Sequence, residues 1–278
     1  MQTDGSSGLD LHRAYEAGER FRYRLTVTSG MAGGETKTVV SVSSHVVEKE
    51  GDAFVERVSW EELRNLTTSE DLTSHARALP AQTFSLDPNW SVDFEPPRDE
   101  AMMSAVSDLF TFYVSASRFG GAGNLNSVGD RFLNPELIKG DWSKGMDTKV
   151  GRDCLRLSIH LVDLDEAVAT LRADYEVPEE SCWGPAFDWM STPIDGVRVN
   201  NFEQVKRAGP QWMAVWGYET FTLTMKIDRR TGRIISGEMN NPLDWHGRAC
   251  MDEGLEQCGD LPPMKYRRVL ELELLDDS

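Results

Sequence analysis

Phe21, Tyr23, Leu25 and Val27 alternate with Arg22, Arg24, Thr26 and Thr28 near the start of the chain. A period of two marks a strand with one wet face and one buried face. The Gly-bearing stretch "SGMAGGE" turns the chain into "TKTVVSVSSHVVEKE", and "EGD" turns it again into "AFVERVSWEELRNL". Three strands joined by short turns predict an antiparallel meander. The period returns in "CLRLSIHLVDL", where Leu155, Leu157, Ile159 and Leu161 share a face, and in "EAVATLRADYEVP". Two further strands are predicted in "NNFEQVKRAGPQWMAVWGYETFTLTMKID", joined at Ala208-Gly209-Pro210, and "MKYRRVLELELL" closes the chain as another. The stretch "YETFTLTMKIDRRTGRIISGEMNN" reads as a hairpin: Phe221, Leu223, Met225 and Ile227 share a face, and Gly232 near the polar tip tolerates positive φ.

One segment changes period. After Pro96-Pro97, which a helix interior would not tolerate, Met102, Val106, Leu109, Phe110, Tyr113 and Val114 follow three-and-four spacing. Asp99 and Glu100 fall in the first turn, where the helix dipole favours them, and Gly120-Gly121 ends the run. Residues 120–153 carry little regular pattern and are expected as a long irregular loop insertion. "SCWGPAFDWMSTPIDGVRV" predicts no element. The fold class expected is mainly β (α+β) over a single domain spanning 1–278. It has about ten strands in one large curved antiparallel sheet or open half-barrel, with one principal amphipathic helix on its concave face.

Charge narrows the partners. The 278 residues hold 29 Lys plus Arg against 46 Asp plus Glu, a formal charge of −17. Nucleic acid and anionic membrane surfaces are disfavoured, because both require a basic face. No apolar run is long enough to span a bilayer, and "MQTDGSSGLDLHRAYEAGER" shows neither the basic nor the apolar region of a signal peptide. The chain is therefore expected to be cytoplasmic, or to be the mature part of a periplasmic or secreted protein. Of the four cysteines, Cys250 and Cys258 bracket "CMDEGLEQC", a spacing that suits a short bridged loop and favours export. For Cys154 and Cys182 the spacing leaves a second bridge and buried thiols equally open.

A long meander interrupted once by an amphipathic helix, with "KIDRRTGRIISGEMNN" near its end, resembles the periplasmic lipoprotein-carrier and lipoprotein-binding superfamily. The resemblance implies a strongly curved sheet forming an open half-barrel around an apolar cavity whose mouth is closed by helices. Residues 120–153 depart from that pattern.

Candidate chemistry is sparse. The five histidines make no HxH or HExxH, and neither a nucleophile-elbow nor a Walker pattern occurs, so no catalytic residue, metal ligand or cofactor is assigned. His160 is expected as a polar-face strand residue. Asp244, His246, Asp252 and Glu253 lie close in sequence beside the bridged loop, which makes the 244–253 region the alternative site, for a hydrolase or metal-dependent enzyme. The acidic run Asp252, Glu253, Glu256 and Asp260 does not follow the calcium-loop spacing and is expected as solvated surface. Asn65-Leu66-Thr67 and Asn89-Trp90-Ser91 match the glycosylation sequon. The remaining lead is adaptable apolar surface. Met102, Met103, Val106, Phe110 and Tyr113 on the helix, with Trp212 and Trp216, are expected to line a site for a lipid, acyl chain or other apolar ligand. A further alternative is a non-enzymatic envelope interaction module that uses exposed aromatics between Trp183 and Trp216.

Overall fold

The computed structural model describes residues 9–90, 97, 100–120, 125–141, 148–179, 184–193, 196 and 198–275. Among the described residues, fourteen antiparallel strands make one large sheet. The meander is present as β1 (Arg20–Met31), β2 (Thr36–Glu50) and β3 (Ala53–Asn65), edged by β4 (Glu70–Asp71) and β5 (Gln82–Phe84). Helix α1 (Thr73–Ala78) follows β4, and α2 (Glu100–Gly120) follows β5. The chain continues as β6 (Arg131–Leu133), β7 (Ile138–Asp141), β8 (Thr148–Leu164) and β9 (Val168–Glu176). After a 3-10 turn at Asp188–Ser191 come β10 (Phe202–Ala208), β11 (Gln211–Glu219), β12 (Phe221–Asp228), β13 (Ile234–Cys250) and β14 (Cys258–Leu275). The closing strand β14 pairs with both β13 and β1, which joins the two ends of the chain through the middle of the sheet.

Several expectations change. Residues 120–153 are not irregular throughout: β6 and β7 lie along one edge of β8, which itself begins at Thr148. Strands of three or four residues are too short to display a period, so the alternation that finds long strands passes over them. The same limit, together with split strands, explains why fourteen strands replace the roughly ten expected from alternation. The stretch from 202 to 228 holds three strands rather than two, because the chain breaks at Thr220. The residue opposite Thr220 in the continuous register of β11 and β12 against β13 is Pro242, which has no N–H to return to the ladder. The Thr220 N–H still reaches the Pro242 carbonyl, at 3.4 Å.

Buried asparagines repair this seam. Asn201 donates to the carbonyls of Cys154 at 3.1 Å and Glu219 at 2.9 Å, and its own Oδ1 accepts the Glu219 N–H at 2.7 Å. Asn241 donates to the Thr220 carbonyl at 3.0 Å and to Glu219 Oε1 at 2.9 Å. Both side chains do what ladder bonds do elsewhere. Asn201→Leu leaves buried backbone groups without partners and is expected to lower unfolding free energy by about 3 kcal/mol in urea titrations.

The hairpin tip is shaped by Asp228, whose Oδ1 accepts the N–H groups of Arg230 at 3.0 Å and Thr231 at 2.7 Å. Gly232 follows with φ of +64°.

Strand alternation places two apolar clusters on opposite faces of the sheet. Phe21, Tyr23 and Leu25 of β1, Leu155 to Leu161 in alternation on β8, and Leu223, Met225 and Ile227 of β12 belong to the main core. Met102, Val106, Leu109, Phe112, Tyr113 and Phe119 of α2 join it. Phe112 lies over Gly237 of β13 so closely that a Cβ there would sit 2.5 Å from its ring. Val205, Ala214, Trp216 and Cys250 point the other way and, with Met190 and Leu255, form the second cluster. Cys250 and Cys258 are directly paired across β13 and β14 and joined by a disulfide, with Cα atoms 4.0 Å apart. Cys154 is also disulfide-bonded, while Cys182 and Trp183 lie outside the described residues.

Candidate functional site

A cavity of about 420 Å³ opens at one end of the main core. Its walls are the 11–13 segment, the 85–90 segment, the 110–117 part of α2, and Ile227 and Gly232 at the hairpin. The volume falls in the range of small-molecule sites. The polar side chains along its walls are already engaged. The Ser85 hydroxyl donates to the Phe54 carbonyl, Asp87 accepts the N–H groups of Phe54 and Asn89, and the Ser117 hydroxyl donates to the Val114 carbonyl. Arg13, with 1 % of its side chain exposed, pairs with Glu19 at 2.6 Å and donates to the carbonyls of Ala14 and Thr231. His12 pairs with Asp10 at 2.8 Å. The larger part of the surface left for a guest is apolar, from Leu11, Leu86, Pro88, Trp90, Phe110, Val114, Ala116 and Ile227, beside the polar His12, Ser85, Asp87 and Ser117.

Behind this cavity lies a buried polar network. Glu56 of β3 accepts the hydroxyl of Tyr15 at 2.9 Å and that of Tyr113, and His45 Nδ1 lies 2.9 Å from its Oε2. His45 Nε2 lies 2.9 Å from the Ser43 hydroxyl, and the Tyr15 oxygen accepts the Leu86 N–H at 2.8 Å. Register explains the convergence. His45 faces Val58 and Val47 faces Glu56 across β2 and β3, so all four point to the face on which α2 brings Tyr113. Burial, and then the Glu56 carboxylate, push the Tyr113 and Tyr15 hydroxyls above the usual tyrosine range, so both stay protonated donors. Ser43, His45 and Glu56 are linked in the order of a hydrolase triad. Ser43 is 2 % exposed and is not part of this cavity's lining. The arrangement ties β2, β3 and α2 together around a satisfied carboxylate.

The residues expected to line one apolar site are divided. Phe110 and Tyr113 line the cavity. Met102 and Val106 are fully buried in the main core, and Met103 is half-buried. Trp212 and Trp216 pack in the cluster on the opposite face of the sheet, where Trp216 borders a second cavity of about 270 Å³ with Met190, Phe202 and Glu203. That cavity's carboxylate is occupied, since Glu203 pairs with Arg152 and accepts the Ala186 N–H at 2.9 Å.

In the 244–253 region the groups are engaged separately. Asp244 pairs with Arg198 at 2.7 Å, Asp252 accepts the N–H groups of Glu256 and Gln257 within its own loop, and the His246 ring lies against Trp216. Among the described residues no three His, Cys, Asp or Glu side chains are grouped to hold a metal ion. His160 lies 3.4 Å from Asp174 on the wet face of β8. Sequence reasoning passed over Glu56, His45, Tyr15 and Arg13. A signal was present in "SVSSHVV", which sets Ser43 and His45 two residues apart on one strand face.

No protein-family model matches the chain, and no curated protein matches it in sequence.

Proposed function

We propose that this protein is an exported binding protein for an apolar ligand, such as a lipid, an acyl chain or another hydrophobic molecule. In this reading the sheet curves as an open half-barrel, with α2 on its concave face, as in the periplasmic lipoprotein carriers that the sequence resembles. The observation that carries it is the roughly 420 Å³ cavity, whose wall is mostly apolar and whose polar side chains are already bonded within the protein. The Cys250–Cys258 bridge supports an oxidising compartment. The binding surface narrows to Phe110, Tyr113 and Val114 of α2 with Leu11, Leu86 and Ile227.

Titration with N-phenyl-1-naphthylamine, a neutral apolar fluorophore, tests the proposal. The parent protein should enhance its emission, and Val114→Trp, which fills the cavity from the α2 wall, should weaken binding about tenfold or more. Native mass spectrometry of freshly purified protein should show a bound apolar species. Absence of both a bound apolar species and probe enhancement would overturn the reading.

A further inference from the structure

The 9–15 segment crosses the cavity without forming helix or strand, and it supplies Leu11, His12 and Arg13 to the lining. It is fastened at separate points. Leu9 N–H meets the Leu125 carbonyl at 3.3 Å, Ala14 N–H meets the Thr231 carbonyl at 2.8 Å, and Tyr15 reaches inward to Glu56. Gly232 permits this path, because a Cβ there would lie 2.3 Å from the His12 carbonyl oxygen. The fastening at Tyr15 differs from the rest. Its hydroxyl donates to Glu56 and accepts from Leu86 N–H on the 85–90 wall, while the other oxygen of Glu56 accepts Tyr113 from the α2 wall. One buried carboxylate therefore holds the crossing segment and the helix, and the Tyr15 oxygen holds the third wall.

We infer that residues 9–15 are a strap gating the cavity, and that Glu56, acting through Tyr15, is its latch. A guest enters or leaves when the Tyr15 hydroxyl lets go of Glu56 and the strap lifts from the hairpin tip. This rests on the cavity being a ligand site, but the opening itself is measurable without any ligand. Tyr15 and Glu56 act here as positioning residues.

No cysteine among the described residues is free, so a thiol introduced by Ala116→Cys, on the α2 wall and 7 % exposed, reports opening through its reaction with a maleimide. Adding Tyr15→Phe should raise the labelling rate about tenfold, the effect of removing a hydrogen bond to a buried carboxylate. Adding Val205→Ala, which trims the cluster on the opposite face, should leave the rate within about twofold. An unchanged rate in Tyr15→Phe, or equal acceleration by Val205→Ala, overturns the latch. Release of bound N-phenyl-1-naphthylamine should quicken in step with labelling, and unchanged release from Tyr15→Phe also overturns it. If the probe binds no variant, the ligand role of the cavity fails, while labelling still decides the latch.

Discussion

Glu56→Ala is expected to lower unfolding free energy by roughly 3–5 kcal/mol, the cost of removing one member of a buried charged network. In a chain of this size that corresponds to a fall in thermal midpoint on the order of 10 °C. The change leaves the Tyr15 hydroxyl without its acceptor and leaves the Tyr113 hydroxyl and His45 Nδ1, 3.2 Å apart, with only each other, at a place where Tyr113 is 3 % and His45 0 % exposed. Glu56→Gln keeps the volume but offers a single acceptor oxygen, so its loss should be intermediate. Ser43→Ala removes only the bond at His45 Nε2 and should cost about 1 kcal/mol. Urea titration of the three variants at pH 7 measures the series. A loss below about 1 kcal/mol for Glu56→Ala would show that the network does not bind α2 to the sheet.

The network was hard to read from sequence for a physical reason. In β2 the residues turned toward the core are Ser41, Ser43, His45 and Val47, whereas on the other side Val40 and Val46 remain half-buried and only Val42 is buried. An apolar-in, polar-out rule gives the wrong face here, because the polar set is satisfied by Glu56 and Tyr113 from elements distant in sequence. The helix was legible, since Met102, Val106, Leu109 and Tyr113 are buried at the spacing the sequence shows. The Cys250–Cys258 bridge was legible as well, because spacing and Gly254 imply a closed loop, although its exact cross-strand pairing needed the register of β13 and β14. Aromatic content misled in one respect. Trp212 and Trp216 were grouped with the helix by residue type, but faces are assigned by parity, and parity across β11 sends them to the opposite side of the sheet from Leu223. The break at Thr220 could be anticipated only once Pro242 was known to stand opposite it.

Stability should fall, not rise, as pH increases from about 5 to 8, by on the order of 2–3 kcal/mol. The cause is a pair of carboxyls on the core side of the seam. Desolvation raises Glu219 from 4.5 to about 7, opposed by the Asn241 bond and reinforced by Asp153. Desolvation likewise raises Asp153 from 3.8 to about 6, against the Gly140 N–H that its Oδ1 accepts at 2.8 Å. A carboxyl whose folded value lies above its unfolded value holds its proton more tightly in the native state. Between about pH 4.5 and 7 the folded chain therefore carries more protons than the unfolded one, and raising pH through that window costs stability. The Glu219 shift alone corresponds to at most about 3 kcal/mol, an upper figure because the residue as a whole keeps partial exposure even though its carboxylate is desolvated. Asp228, held low by Thr231 and Arg230 against the opposing effect of burial, works in the other direction, and its contribution is lost below about pH 4. The optimum should thus lie near pH 5. Glu219→Gln retains an acceptor for Asn241 and removes the charge, so it should raise the urea midpoint at pH 8 and leave it nearly unchanged at pH 5. A parent protein more stable at pH 8 than at pH 5, or a Glu219→Gln curve parallel to the parent's, would show that the carboxylate at the seam is not desolvated.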